Sequence, residues 1–263
     1  MSYWIVLLIS LLSSSIGFLM YIYFFSIGYG LSIATIGILF SVGFRSQMEI
    51  PELLCCILLM IYGIRLGGYL FIRDLKNSAY QKILQPERER SKKMGIGAKV
   101  AIWFSCALLY TLQTCPLFFR LSNKILSNTM LWVGILIMFI GLILETLADM
   151  QKSIAKKKNS RRFVNTGLYS VVRCPNYLGE IIFWLGMFLS GFTALNSLYQ
   201  WIMSILGFML IIFVMFSGTR RLEIRQDKNY SNDSEYQNYI KTVPIIIPFI
   251  PLYSVKKYKF LVA

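Results

Sequence analysis

Gly167-Leu168-Tyr169-Ser170-Val171-Val172-Arg173-Cys174-Pro175-Asn176-Tyr177-Leu178-Gly179-Glu180 runs without a break into the apolar segment Ile181 to Leu195. Lipid offers no water to an Asn or a Glu. Polar groups at the mouth of a membrane span must therefore find partners inside the protein or on a ligand. The polar stretch is the leading candidate for a site, and the apolar run behind it sets the fold class. Similar runs recur at about 3–25, 27–44, 50–72, 98–119, 129–149, 178–195 and 198–217. At 1.5 Å per residue, each approaches or exceeds a hydrocarbon core of roughly 30 Å. The expected architecture is an all-α, polytopic membrane helix bundle with seven transmembrane helices, forming one domain over 1–263. Gly28, Gly30, Gly37 and Gly43 weaken the second run, and only Asn196-Ser197 separates the last two, which predicts a helical hairpin.

Composition agrees. The chain has 263 residues and is 56% hydrophobic, with a mean hydropathy of +0.60, which excludes an ordinary soluble domain. The run Tyr3 to Phe25 lacks a basic leader and is followed by more spans, so it reads as a retained span rather than a signal peptide. A net charge of +15 would suggest nucleic acid in a soluble protein. Here Lys and Arg gather on one side. Loops 73–97 and 150–177 and the tail 218–263 hold 22 of them, including Lys76 and Lys82, against 3 (Arg45, Arg120 and Lys124) opposite. The positive-inside rule places that basic side and the C-terminus in the cytosol and the N-terminus outside. Membrane lipid, not nucleic acid, is the implied partner. The sequence has no His, which excludes Ser-His and Cys-His catalysis, His-ligated haem and HExxH zinc chemistry. The five cysteines form no CxxC pair and read as buried thiols.

Several polar residues could carry chemistry. Glu145 and Asp149 lie one turn apart at the cytosolic end of the fifth span, where they share a face and suit a ligand's amide or hydroxyl donors. Lys156, Lys157, Lys158, Arg161, Arg162 and Arg173 surround the same mouth and suit lipid headgroups or nucleotide phosphates. Asn176 and Glu180 are again four apart, behind Pro175, which fits the first turn of a helix. Arg65 lies inside the third span with Tyr62 and Tyr69 near it, and a Tyr phenol can donate to a substrate oxygen. Gly67-Gly68 would let a helix or a ligand approach closely. Glu49 and Glu52 flank Pro51 and read as a solvated helix start. In the tail, Asn232 or Asp233 can cap a short helix through Tyr239, and Pro244, Pro248 and Pro251 break the run Val243 to Leu252.

Gly167-Leu168-Tyr169 followed by Val172-Arg173-Cys174-Pro175-Asn176-Tyr177-Leu178-Gly179-Glu180 resembles the GLW-x-x-SRHPNYFGE signature of the DUF1295 proteins, within the steroid 5-alpha-reductase-like group of membrane enzymes. Leu222-Glu223-Ile224-Arg225, Tyr236-x-x-Tyr239 and Ile247-Pro248-Phe249-Ile250-Pro251 resemble the group's C-terminal pattern. Arg65-Leu66-Gly67-Gly68-Tyr69-Leu70 with Arg73 resembles its N-terminal half. The resemblance covers about residues 60 to 252. It implies a seven-span enzyme of the endoplasmic reticulum that binds NADPH from the cytosol and reduces a C=C bond of an apolar, lipid-like enone by hydride transfer. It places catalysis on Tyr62 and Arg65. Cofactor binding falls on Glu145, Asp149, Lys156, Arg173, Asn176, Tyr177, Glu180 and Arg225, with no metal. Glu49-Ile50-Pro51 resembles the group's Glu-Leu-Pro at a shorter separation from the Tyr. Three residues depart from the pattern. Cys174 replaces a His, Glu145 replaces an Asn, and the tail offers Arg220, Arg221 and Arg225 where the group has His. Two other readings stay open. Isoprenylcysteine methyltransferases share a similar RHP-x-Y-x-G-E turn, which implies S-adenosylmethionine. The loss of the His also fits a non-enzymatic membrane protein on the same scaffold.

Overall fold

The computed structural model describes residues 1–76 and 78–262, with side chains omitted for 76–80 and for 82 and 83. The basic side chains of Lys76 and Lys82 lie outside the described residues. Helices account for the fold: α1 Tyr3–Ser14, α2 Ile27–Gly43, α3 Ile50–Lys76, α4 Ser78–Lys93, α5 Ile96–Ser122, α6 Thr129–Lys158, α7 Pro175–Phe192, α8 Leu198–Tyr230 and α9 Ser234–Thr242. No strand occurs among the described residues.

Among the described residues, five segments are long and apolar enough to cross a membrane: Tyr21–Gly43, Ile50–Leu75, Ile96–Ser122, Thr129–Lys158 and Leu198–Tyr230. The other two expected spans fall short for local reasons. The run 3–25 is not one helix. α1 stops at Ser14, and two 3-10 turns, Ser15–Phe18 and Tyr21–Phe25, follow. Ser14 and Ser15 bond back to the carbonyls of Ser10 (2.6 Å) and Leu12 (2.7 Å), which loosens a helix end. Gly17 then leaves room for the Phe24 ring, which any side chain at 17 would evict. α7 begins with the polar turn Asn176 to Glu180, which lowers its apolar length.

Two regions expected as loop or tail are helical. Residues 78–93 form α4 because Gln, Lys, Leu, Glu and Arg are strong helix formers. α4 is tied to α3 by Arg88 and Asp74 at 3.2 Å. Likewise α8 continues through Arg220, Arg221 and Arg225 to Tyr230, since nothing between Gly218 and Lys228 interrupts it. The tail proper starts only after residue 230.

The described residues group into two compact units, each built from separated stretches. The first is Met1–Ile135 with Met187–Phe208, and the second is Leu136–Gly186 with the chain from Met209 onward.

Within the first unit, α2 and α3 cross backbone to backbone. A Cβ on Gly30 would stand 2.5 Å from the Gly63 carbonyl oxygen and 2.6 Å from the Gly67 nitrogen. Gly63-x-x-x-Gly67 is a small-residue interface of the kind that lets membrane helices touch. Its partner is a helix, and Gly68 beside it faces open space.

Candidate functional site

The second unit holds the stretch that opened the sequence. Gly167 sits at φ 63°, a left-handed conformation that costs other residues. A Cβ there would stand 2.5 Å from Gln151 Oε1, and that oxygen instead accepts from the Leu168 N–H at 2.9 Å. The following 3-10 turn, Gly167–Ser170, buries Tyr169, whose hydroxyl donates to the Ala148 carbonyl at 3.3 Å. The Tyr169 carbonyl accepts from the Tyr239 hydroxyl at 2.6 Å. Tyr239 lies on α9, which Asp233 caps by accepting from the Glu235 and Tyr236 N–H groups, as the sequence predicts.

Arg173 closes the loop. Its N–H donates to the Pro244 carbonyl at 2.9 Å. Its guanidinium is 2% exposed, pairs with Glu223 at 3.3 Å and donates to the Tyr253 carbonyl. Glu223 also accepts from the Val255 N–H at 3.0 Å. Behind this latch, Cys174, Leu222, Ile245, Ile246 and Val255 pack as an apolar core. Arg173, expected at the cofactor, is thus occupied in fastening the tail. Lys156 is similarly engaged, donating to the carbonyls of Ser160 (3.2 Å) and Arg162 (2.5 Å) and to the Tyr230 hydroxyl.

Cys174 stands where the family pattern has a His. Burial pushes its thiol up to about 11, against the lowering effect of Lys152 and Arg173. Thiolate is the reactive form, so Cys174 should resist N-ethylmaleimide at pH 7.5 in the folded protein. Mass-spectrometric mapping should find it labelled only after denaturation. Rapid labelling of the native protein would make it a reactive group instead.

α7 starts at Pro175, as expected. The Asn176 Oδ1 is buried and meets no hydrogen-bond donor among the described residues, and neither does the buried Ser217 hydroxyl on α8. Gly218 lets α8 pass close to Tyr177: a Cβ there would stand 3.3 Å from the phenol oxygen. Arg221 and Arg225 lie within electrostatic reach of the same phenol. Both are exposed, and neither forms an ion pair among the described residues.

Gly179, in the middle of the motif, serves packing. A Cβ on it would stand 2.7 Å from the Glu145 nitrogen, and one on Gly141 would stand 2.7 Å from the Gly179 carbonyl oxygen. This crossing of α6 and α7 sets the buried Glu145 and Glu180 at one level, with Asp149 a turn further along α6. Glu145, Asn176, Tyr177 and Glu180 are therefore brought together, with Arg225 on the neighbouring helix.

Tyr62 and Arg65 belong to the first unit. The buried Tyr62 hydroxyl donates to the Tyr29 hydroxyl at 3.2 Å, and Tyr29 stacks on Tyr110 with ring centroids 4.8 Å apart. The Arg65 guanidinium lies 5.9 Å from the Tyr62 ring centroid. The pair expected from Tyr-x-x-Arg is adjacent.

Glu52 corrects a sequence expectation. It is buried, not solvated. It lies 4.0 Å from Arg120 and accepts from the Ser127 hydroxyl at 3.3 Å. Arg120 itself is 0% exposed, with bonds to the carbonyls of Ser190 (2.7 Å) and Leu126 (3.0 Å). A cavity of about 180 Å³ opens beside them, lined by Glu49, Glu52, Arg120 and Lys124.

Residues 24–243 match the model of the family described as protein of unknown function (DUF1295). The chain belongs to the DUF1295 family. No curated protein and no solved structure matches it. The match takes in both the Tyr62 cluster and the Asn176 turn, so both are parts of the DUF1295 region. The family description assigns neither of them a role.

Proposed function

We propose that this DUF1295 protein is a membrane-embedded, NADPH-dependent reductase of a C=C bond in an apolar, enone-bearing lipid. The observation that carries the reading is the pair Arg221 and Arg225. They lie one turn apart on α8, without ion pairs among the described residues, beside Tyr177 and the unpartnered Asn176 oxygen. Guanidinium groups bind phosphates through charge-assisted hydrogen bonds. A carboxamide oxygen needs an N–H or O–H donor. A dinucleotide carries both kinds of partner, phosphate oxygens for the guanidinium groups and ribose hydroxyls or a carboxamide N–H for the Asn176 oxygen. With Arg173 and Lys156 engaged elsewhere, the phosphate role passes to this pair.

Bound NADPH would supply a hydride to the β-carbon of the enone; the carbonyl oxygen would take up the negative charge, and a proton from water at the α-carbon would complete the reduction. Tyr62 is the donor suited to that oxygen, turning its hydroxyl from Tyr29. Arg65, over the ring, stabilises the charge as it develops. The resemblance to the steroid 5-alpha-reductase group supports the same assignment. Methyl transfer from S-adenosylmethionine is the second reading. One observation favours it: the buried carboxylates Glu145 and Glu180 suit a cationic sulfonium.

Thermal stabilisation of the detergent-purified protein by NADPH, NADH and S-adenosylmethionine, each alone, separates the readings. NADPH should raise the unfolding temperature most. Arg221→Ala and Arg225→Ala should each weaken NADPH about tenfold or more, the worth of a charged hydrogen bond. A shift with S-adenosylmethionine alone would transfer the assignment to methyl transfer. No shift in a folded sample would favour the non-enzymatic scaffold.

A further inference from the structure

Gln113 lies on α5, inside the membrane-crossing segment Ile96–Ser122, and is only 3% exposed. Neither its Nε2 nor its Oε1 has a hydrogen-bond partner among the described residues. Burying a carboxamide this way costs about 2–7 kcal/mol. A Leu at the same position would cost nothing.

The surroundings show where the amide lies. On α5, Tyr110, Leu117 and Arg120 stand three, four and seven residues from Gln113, so they share its face. On α3, Glu52, Cys55, Leu59 and Tyr62 are all buried and follow one face in the same way. The two faces are joined directly at one end and through α2 at the other. Arg120 lies 4.0 Å from Glu52, and Tyr110 reaches Tyr62 through Tyr29. Gln113 therefore lies on α5 between the levels of two polar knots, roughly 10 Å along the helix from Arg120, in a segment apolar enough to cross a membrane. Two further features open the backbone here. Pro116 has no N–H to give the Leu112 carbonyl. On the α8 side, Gly207 comes so close that a Cβ on it would stand 3.0 Å from the Gln113 nitrogen.

We infer that Gln113 anchors the hydroxyl of an apolar, hydroxyl-bearing lipid held within the first unit. The unpaired groups define the ligand. Gln113 offers donors and an acceptor together, and an alcohol both accepts and donates. A carbonyl would leave Oε1 bare. A carboxylate or an ammonium would bring a charge into a membrane-crossing segment with no opposite charge on the neighbouring turns of α5. A lone water held by Gln113 would give one O–H to Oε1 and leave its second O–H unmet, whereas an alcohol has no second O–H to leave. A lipid hydroxyl needs only the donor and acceptor that Gln113 provides, and its chain suits the apolar segment. The inference stands on the first unit alone and does not depend on the cofactor assignment, so either can fail without the other.

Hexadecanol carrying a mid-chain diazirine, with its methyl ether as control, tests this on the full-length protein in detergent. The ether keeps the acceptor and loses the donor. Photolabelling of peptides from α3 and α5 should favour the alcohol about fivefold, the worth of one net hydrogen bond. The preference should vanish in Gln113→Leu, whose unfolding temperature without lipid should match or exceed that of the unmutated protein. If Gln113→Leu does not fold, Gln113→Met, closer in shape, takes its place. Equal labelling by alcohol and ether overturns the inference, and so does a preference that survives the substitution.

Discussion

Glu223→Ala is expected to free the chain beyond residue 243 from the second unit and to cost about 3–5 kcal/mol, the range for stranding a buried charge. Glu223 and Arg173 are both buried and 3.3 Å apart. Removing the carboxylate leaves a guanidinium in an apolar core and takes the acceptor from the Val255 N–H. Limited proteolysis should then cut between residues 244 and 262 under conditions where the unmutated protein is intact, and the unfolding temperature should fall. Replacing both partners, Arg173→Met with Glu223→Leu, should recover most of the loss, because no buried charge remains. An uncut tail in Glu223→Ala would mean that Pro244, Tyr253 and the apolar contacts hold it without the ion pair.

Gly63→Leu should disrupt the first unit at least as severely. A Cβ on Gly63 would already stand 2.6 Å from the Ala34 nitrogen, and a backbone cannot move aside as a side chain does. The two helices would have to separate along their length. Overpacking a core typically costs 1–3 kcal/mol, and about 3 kcal/mol or more is expected for backbone in contact with backbone. Gly68→Leu, four residues beyond Ile64 and with nothing within 4 Å of its Cβ position, is the matched control and should be close to neutral. Comparing the detergent-solubilised, monodisperse yield of the two variants is sufficient. Equal yields would show that α2 and α3 adapt.

What was legible in the sequence was local. Asp233 caps α9 and Pro175 opens α7, because capping and proline geometry depend on neighbours a few residues away. The long apolar helices were legible by length and composition. The break after Ser14 was not, since hydropathy is blind to serines that compete for helix carbonyls. The charged helix 78–93 was also missed, because its composition is polar and basic and reads as a loop between apolar runs.

In the candidate site, spacing alone puts Asn176 and Tyr177 a turn from Glu180 on α7 and Tyr62 a turn from Arg65 on α3, whereas the approach of Glu145 to α7 depends on Gly141 and Gly179 and could not be read. Nor could the occupation of Arg173 be read. Its carboxylate partner is Glu223, 50 residues away, and no local pattern joins them. Arg120 looked like a loop charge because it stands at the end of an apolar run, yet that end is buried and full of carbonyls. Arg221 could have been singled out, since it lies one turn before Arg225 on what proved to be continuous helix. Gln113 carried a signal too, as an amide in the middle of an apolar run, but only burial shows that both its ends are open.

The division of the chain has a consequence for how the protein is made. The first unit needs residues 187–208, which leave the ribosome only after 136–186 of the second unit. The second in turn waits for everything after Met209. The first unit has all its residues only at residue 208 and the second only with the tail, so no point in synthesis before residue 208 leaves either unit finished. A nascent chain stalled at residue 135 would hold Arg120 without Ser190 and Thr193, and one stalled at 186 would hold Arg173 without Glu223. The first leaves Arg120, beside Glu52, without two of its hydrogen-bond partners, and the second leaves the Arg173 guanidinium without its carboxylate. That makes these chains natural clients for the machinery that shelters unfinished membrane helices, and it means that gene fragments cut at the unit borders should be degraded rather than folded.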